Sequence, residues 1–399
     1  MSIQGHFDTA DSNGVAGWAR NAALPDEKLA VEVLLDGEVR GEGIAHHYRA
    51  DLETNGVGHG KYAFYVDYEN GPIYGSGESE IEVRIKGTEV TLDGGPKTIE
   101  RSRYKYVAID IVDNCNLRCP FCLYDYANTK TTHRMNEGVF RKILKLIPHV
   151  PRGEFWLSCL HEPSMHPQFL DFLELVPEEF RKKVFFTSNF ARKQKDEYFH
   201  RLADTNIQHI NISVDSVNPE LYPILRKGSK LDVLFANLEK LYDACSKNPR
   251  SPNIRFITMV FKSNFDEIPE IVKMCSERFG ASEHELRYPY KLPHITDEFR
   301  ENHFLENHRW GEVEKIAAEL NYPVFFDPPT SDYSDRVYTP IEYYMDRDPY
   351  NPVIEPQKPG SPFGIRFSAN GDGRIEDFEE HFHFNVNMLE DPHSLLSVI

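Results

Sequence analysis

Through the first hundred residues, hydrophobic and polar positions alternate. The runs LAVEVLLDGEVRGEGIA (29–45), KYAFYVDY (61–68) and SEIEVRIKGTEVTL (79–92) repeat with a period of two and are separated by Gly, Asn and Asp turn signals. No stretch there sustains a period of 3.6, so the pattern predicts a small antiparallel β-sandwich over residues 1–100. From about residue 104 the period changes. Apolar strand-like runs YVAIDIV (106–112), EFWLSCL (154–160), KVFFTSN (183–189), IQHINISVDS (207–216), NIRFITMVF (253–261) and HELRYPY (284–290) occur in series. Helical periodicity in EGVFRKILKLI (137–147), PQFLDFLELV (167–176), KLDVLFANLEKLYDACS (230–246) and EIPEIVKMCSERF (267–279) lies between them. Six βα units predict a parallel sheet of the α/β class, a partial (β/α)6 TIM-type barrel over 101–300, with its chemistry at the carboxyl ends of the strands. The last hundred residues are less regular. An acidic, aromatic, Pro-rich stretch over about 323–362 reads as a surface excursion or lid. FGIRFSANGDGRIEDF (363–378) reads as a hairpin turning at Asn370–Gly373, and DPHSLLSVI as a short helix, together a small α+β cap over 301–399.

Charge supports the same division. Residues 1–100 carry 8 basic and 18 acidic side chains, residues 101–300 carry 30 and 26, and residues 301–399 carry 7 and 19. The formal net charge of −18 argues against broad binding to nucleic acid or to an anionic membrane surface. No apolar run approaches the roughly 18 residues of a spanning helix, and the opening MSIQGHFDTADSNG lacks a signal-peptide pattern, so the expected location is cytoplasmic. Six cysteines in 399 residues are too few for a disulfide scaffold, yet three fall within eight positions.

Those three are Cys115, Cys119 and Cys122, in CNLRCPFC directly after the first barrel strand. Structural zinc takes four protein ligands, and the nearest His, His133, is eleven residues on. Three thiolates suit instead a [4Fe-4S] cluster with one iron open to an exogenous ligand. The C-x3-C-x2-C spacing, with Phe121 before the third Cys, resembles the signature of the radical S-adenosylmethionine (radical SAM) enzymes. The resemblance runs over about 100–300. In LSCLHEPSMHP, Ser158 and Glu162-Pro163 match the family's glycine-rich segment, while Cys159 and His161 replace its glycines. Thr187-Ser188-Asn189, the strand end ISVDS with Ser213 and Asp215, NPELYPILRKGS with Arg226, and TMVFKSNFDEIPE with Val260 continue the series.

The resemblance implies one [4Fe-4S] cluster on the three cysteines and bound S-adenosylmethionine. The implied cofactor contacts are Phe121, Ser158, His161, Glu162, Asn189, Ser213, Asp215, Arg226 and Val260, with Arg226 on the methionyl carboxylate. It also implies an electron donor such as flavodoxin or ferredoxin, and a deoxyadenosyl radical that abstracts hydrogen from a substrate. The C-terminal hairpin resembles a SPASM or twitch extension, but no Cys follows Cys275, so no auxiliary cluster and a net redox-neutral reaction are expected. Cys159, at the end of strand two, is a candidate hydrogen donor, with packing in place of glycine as the alternative. GVAGWAR (14–20), LLDGEVRGEG (34–43) and YRADLETNGVGHGKYAF (48–64) resemble a β-module of bacterial glycan-related proteins. The favoured substrate is therefore a saccharide or glycan-linked molecule. A peptide or protein substrate is the alternative, and a catalytically silent barrel used for binding is the third reading.

Overall fold

The computed structural model describes residues 2–127, 129–158, 160–327, 363–375 and 383–389, which fall into two units. The first runs up to Lys105 and includes Pro148–Arg152. It contains β1 (Ile3–Ala10), β2 (Gly14–Asn21), β3 (Leu29–Leu35), β4 (Glu38–Ala45), β5 (His47–Tyr48), a short helix α1 (Ala50–Thr54), β6 (Lys61–Asp67), β7 (Glu78–Ile85) and β8 (Lys97–Glu100). Two four-stranded antiparallel sheets form, ordered β1-β2-β6-β5 and β4-β3-β7-β8. The period of two in the sequence sends one face of each sheet inward, and Phe7, Phe64, Val31, Val33 and Ile81 from the two sheets are fully buried in one core.

The second unit begins at Tyr106. Strands β9 (Tyr104–Ile109), β10 (Phe155–Leu157), β11 (Val184–Ser188), β12 (His209–Ser213), β13 (Asn253–Met259), β14 (Glu283–Arg287) and β15 (Val324–Asp327) pair in parallel, each with its neighbour in chain order. Between them run α2 (Glu137–Leu144), α3 (Phe169–Leu175), α4 (Asp196–Asp204), α5 (Tyr222–Leu225), α6 (Leu231–Ser246), α7 (Ile268–Phe279), α8 (Asp297–His303) and α9 (Trp310–Leu320). Their ends carry ordinary stop and start chemistry. Asn136 caps α2 by accepting from Val139 N, Thr296 caps α8 by accepting from Phe299 N, and Gly280 ends α7 at φ +64°. None of the described helices is long and apolar enough to cross a membrane.

The parallel sheet has one strand more than the periodicity predicted. β15 is four residues long and sits inside the stretch read as a surface excursion, where Pro323 before it and Pro328 after it hide its apolar core VFF. The hairpin expected after residue 363 is present as β16 (Phe363–Phe367) and β17 (Asp372–Ile375), followed by β18 (His383–Asn385). These three strands continue the sheet beyond β9, giving ten strands in all among the described residues. The closeness of that continuation requires Gly364, where a Cβ would lie 2.2 Å from the Tyr106 ring. Residues 328–362 and the C-terminal helix signal lie outside the described residues.

Along β11 to β14 the two faces differ in kind. Phe186, Ile210, Ile212, Phe256 and Leu286 are fully buried on one face. Positions of the opposite parity carry Phe185, Thr187, His209, Asn211, Ser213, Arg255, Glu285 and Arg287, a polar and aromatic wall.

His284 is a buried titratable group on the apolar face, beside Thr258. Thr258 Oγ1 donates to Val214 O, so His284 Nε2 donates to Thr258 Oγ1 at 2.8 Å, leaving Nδ1 buried without a partner among the described residues. Burial pushes this imidazole down to about 3 from the usual 6.5. Between those values the unfolded chain binds a proton that the folded chain does not. The contribution is therefore complete above pH 6.5 and is lost as pH falls toward 3, at about 1.4 kcal/mol per pH unit. In His284→Gln, the slope of unfolding free energy against pH, measured by urea titration within that window, is expected to be shallower by that amount.

Candidate active site

The loop after β9 is held by a dense set of hydrogen bonds before any iron is considered. Asn114 Oδ1 accepts from Cys115 N at 2.8 Å and from Arg118 at 3.2 Å, while its Nδ2 donates to Thr132 Oγ1 at 2.9 Å. Arg118 also donates to the carbonyls of Cys115 and Leu117 at 2.6 and 2.7 Å. From the other end of the barrel sequence, His294 Nε2 donates to Cys122 O at 2.8 Å. This clamps Cys115, Cys119 and Cys122, none of them in a disulfide, around one cavity whose wall they share with residues from β11 to β14.

Burial raises all three thiols, Cys119 to about 12, and the nearby carboxylate of Glu162 and the other two sulfurs push Cys115 in the same direction. Ligation therefore releases protons, as iron binding to thiols requires. No three His, Cys, Asp or Glu side chains among the described residues gather around a single ion position. The three thiols share one cavity wall, and as thiolates they would hold a [4Fe-4S] cluster with one iron open.

Phe121, His161, Glu162, Asn189, Ser213 and Arg226 line the same cavity as the cysteines, together with Thr187, Ser188, Met259, Arg287 and Tyr290. Asp215, Val260 and Ser158 do not. Asp215 is fully buried, ion-paired to Arg226 Nε, and its other oxygen accepts from Met259 N at 2.8 Å. Burial works against the Arg226 charge, but the Asp215 carboxylate outweighs it and keeps the guanidinium cationic, 5.2 Å over the Phe121 ring. Val260 is buried and donates its N–H to Arg287 O at 2.8 Å. Ser158 is buried at φ +68°, a left-handed conformation that favours glycine, with its hydroxyl unpartnered among the described residues. Cys159, the candidate hydrogen donor, lies outside the described residues.

Several contributions of the site could not be read from residue type and order. Asp110 Oδ1, at the end of β9, accepts from Leu160 N at 3.0 Å and His161 N at 3.4 Å, fixing the segment that stands where the family has glycines. Glu162 faces inward, accepting from Ser188 Oγ at 2.8 Å, Asn189 N at 2.9 Å and Ser164 N at 3.2 Å, and its burial raises its pKa. Burial lowers the pKa of His161, and its Nδ1 shares a hydrogen bond of 2.8 Å with Tyr126 OH.

Comparison with known proteins agrees with this geometry. Residues 109–275 match the family model of the Radical SAM superfamily. The probable GTP 3′,8-cyclase of Methanocaldococcus jannaschii is 23% identical over 232 residues, 54% of this chain and 75% of that protein. The GTP 3′,8-cyclase of Vibrio vulnificus is 22% identical over 257 residues, 61% and 73% respectively. Among solved structures, SuiB of Streptococcus suis bound to its precursor peptide SuiA superposes with a TM-score of 0.50 at 16% identity, over 68% of this chain. The chain spans 59% of the length of that structure. The cysteine loop and most of the parallel sheet lie in the segment that is similar to the Radical SAM superfamily, and the chain is an enzyme that uses a [4Fe-4S] cluster and S-adenosylmethionine.

Proposed function

We propose that this enzyme abstracts a hydrogen atom from a saccharide or glycan-linked substrate held against the polar wall of the barrel, with a redox-neutral outcome. The observation that carries the substrate class is the continuity of that wall with the cysteine cavity. Trp156 Nε1 donates at 3.2 Å to Thr187 Oγ1, and Thr187 lines the cavity. Trp156, Phe185 and His209 form a run of stacked rings with centroids 5.3 and 4.6 Å apart, the first two half-buried. Beside them stand Thr187, Asn211, Ser213 and Arg255, and Asn211 Oδ1 is buried without a partner among the described residues. Ring faces for the C–H face of a sugar, beside hydroxyl, amide and guanidinium groups for its hydroxyls, are the complement a saccharide requires.

When bound, the cluster and S-adenosylmethionine supply the 5′-deoxyadenosyl radical that removes a substrate hydrogen. The chain's own residues bind, orient and exclude water. Arg226, held by Asp215, receives the cofactor carboxylate. Phe121 packs with Phe261 and Phe299 behind the cysteine loop, in an apolar cluster that keeps water from that side. Arg287, paired with Glu285, orients the polar end of the substrate. His161, joined to Tyr126 through Nδ1, presents its imidazole at the cavity wall. In this reading the C-terminal hairpin is a cluster-free extension, and a flavodoxin- or ferredoxin-type protein delivers the electron.

Anaerobically reconstituted protein is expected to bind about four irons per chain, because no cysteine follows Cys275 for a second cluster, and about eight would refute that. Incubation with dithionite, S-adenosylmethionine and perdeuterated nucleotide sugars or oligosaccharides is expected to place deuterium in 5′-deoxyadenosine. Deuterium arriving only from a labelled peptide pool, or only from a labelled nucleotide base or ribose, overturns the saccharide reading.

A further inference from the structure

Asn189 lies just beyond the carboxyl end of β11, where the family resemblance places a contact to S-adenosylmethionine. Its side chain is otherwise engaged. The two hydrogens of Nδ2 point to Cys115 Sγ at 3.4 Å and to Asn116 Oδ1 at 3.0 Å, and Oδ1 accepts from Ala191 N at 2.8 Å. A primary amide has two donor hydrogens, and both have partners within the protein. The backbone is fixed as well, because Asn189 N donates to Glu162 Oε2 at 2.9 Å while Ser188 Oγ and Ser164 N hold Glu162 Oε1 at 2.8 and 3.2 Å. The glutamate of the Glu-Pro pair is thus a positioning residue for Asn189, and Asn189 is a donor to a ligating sulfur.

We infer that Asn189 raises the reduction potential of the cluster through its hydrogen bond to the Cys115 thiolate, and that it does not serve as a contact to S-adenosylmethionine. Reduction adds one negative charge that spreads onto the sulfurs. A donor aimed at one of them stabilises the reduced state more than the oxidised state, because hydrogen bonds strengthen as the acceptor gains charge. Without the donor the cluster is harder to reduce. The inference concerns the cluster alone and stands or falls independently of the substrate class.

The test is an EPR-monitored redox titration of the reconstituted full chain, without S-adenosylmethionine, comparing wild type with Asn189→Ala. The ratio of reduced to oxidised cluster at a fixed solution potential is expected to fall about tenfold in the variant, equivalent to a midpoint about 59 mV lower for a one-electron couple. Iron and sulfide content should match wild type, and the dissociation constant for S-adenosylmethionine should change less than about twofold. An unshifted midpoint with weakened binding of S-adenosylmethionine overturns the inference and makes Asn189 a cofactor contact. Should Asn189→Ala retain too little iron to titrate, Asn189→Ser, whose hydroxyl is too short to reach the sulfur, carries the measurement, and an unshifted midpoint there overturns the inference equally. Glu162→Gln, which weakens the anchor of the Asn189 backbone, is expected to shift the midpoint in the same direction by a smaller amount.

Discussion

Cys119→Ser is expected to reduce bound iron to background after anaerobic reconstitution and to abolish formation of 5′-deoxyadenosine. Serine replaces a soft thiolate with a hard, far less acidic hydroxyl, and iron–sulfur cubanes are held by thiolates. The effect on folding should be small, within about 1 kcal/mol by denaturant titration, because the Asn114, Arg118 and His294 hydrogen bonds that hold the loop do not involve the Cys119 side chain. Cys245→Ser supplies the control. Cys245 lies on α6, away from the cavity, so full iron content and full cleavage are expected there. Iron at wild-type levels in Cys119→Ser would remove this residue from the ligand set.

The second large effect is expected at the ion pair beneath the cavity. Asp215 is fully buried and Arg226 nearly so, and their contact takes up one carboxylate oxygen while Met259 N takes the other. Asp215→Ala leaves an uncompensated guanidinium in a buried site, a loss of about 3–5 kcal/mol, large against the 5–15 kcal/mol that holds a typical domain together. Arg226→Met with Asp215→Leu removes both charges and is expected to recover most of that stability, since a buried pair contributes little over apolar residues of similar volume. The double variant should nonetheless bind S-adenosylmethionine weakly, because the partner for its carboxylate is gone. Urea unfolding and equilibrium binding to the reconstituted protein separate the two effects. Equal stability of Asp215→Ala and wild type would show that Arg226 is solvated or paired elsewhere.

What was legible in the sequence was local. The period of two in LAVEVLL and KYAFYVD, and the cysteine triad directly after YVAIDIV, each lie within a dozen residues, so spacing alone exposes them. The strand VFFD was hidden because four residues between prolines carry no periodicity, and only pairing with β14 makes them a strand. The site is legible in membership more than in role. Arg226 and Asp215 both stood out as cofactor contacts, yet their geometry makes one the support of the other. Glu162 was marked by its motif, but its partners Ser188 and Asn189 lie 26 and 27 residues away, and nothing in their spacing shows that the carboxylate turns inward. The hydrogen bond from His294 to Cys122 spans 172 residues and has no sequence signal at all.

That last contact, with those of Asn114, Arg118 and Asn189, ties the cysteine loop to the rest of the protein through hydrogen bonds that involve no metal. Ordering a flexible segment opposes binding by about 1–2 kcal/mol per residue, and each of these hydrogen bonds offsets part of that cost. Small metal domains that are unfolded without their ion depend on it for their structure. With those bonds in place, this chain is expected to keep its fold when chelators remove the iron, which circular dichroism before and after chelation checks.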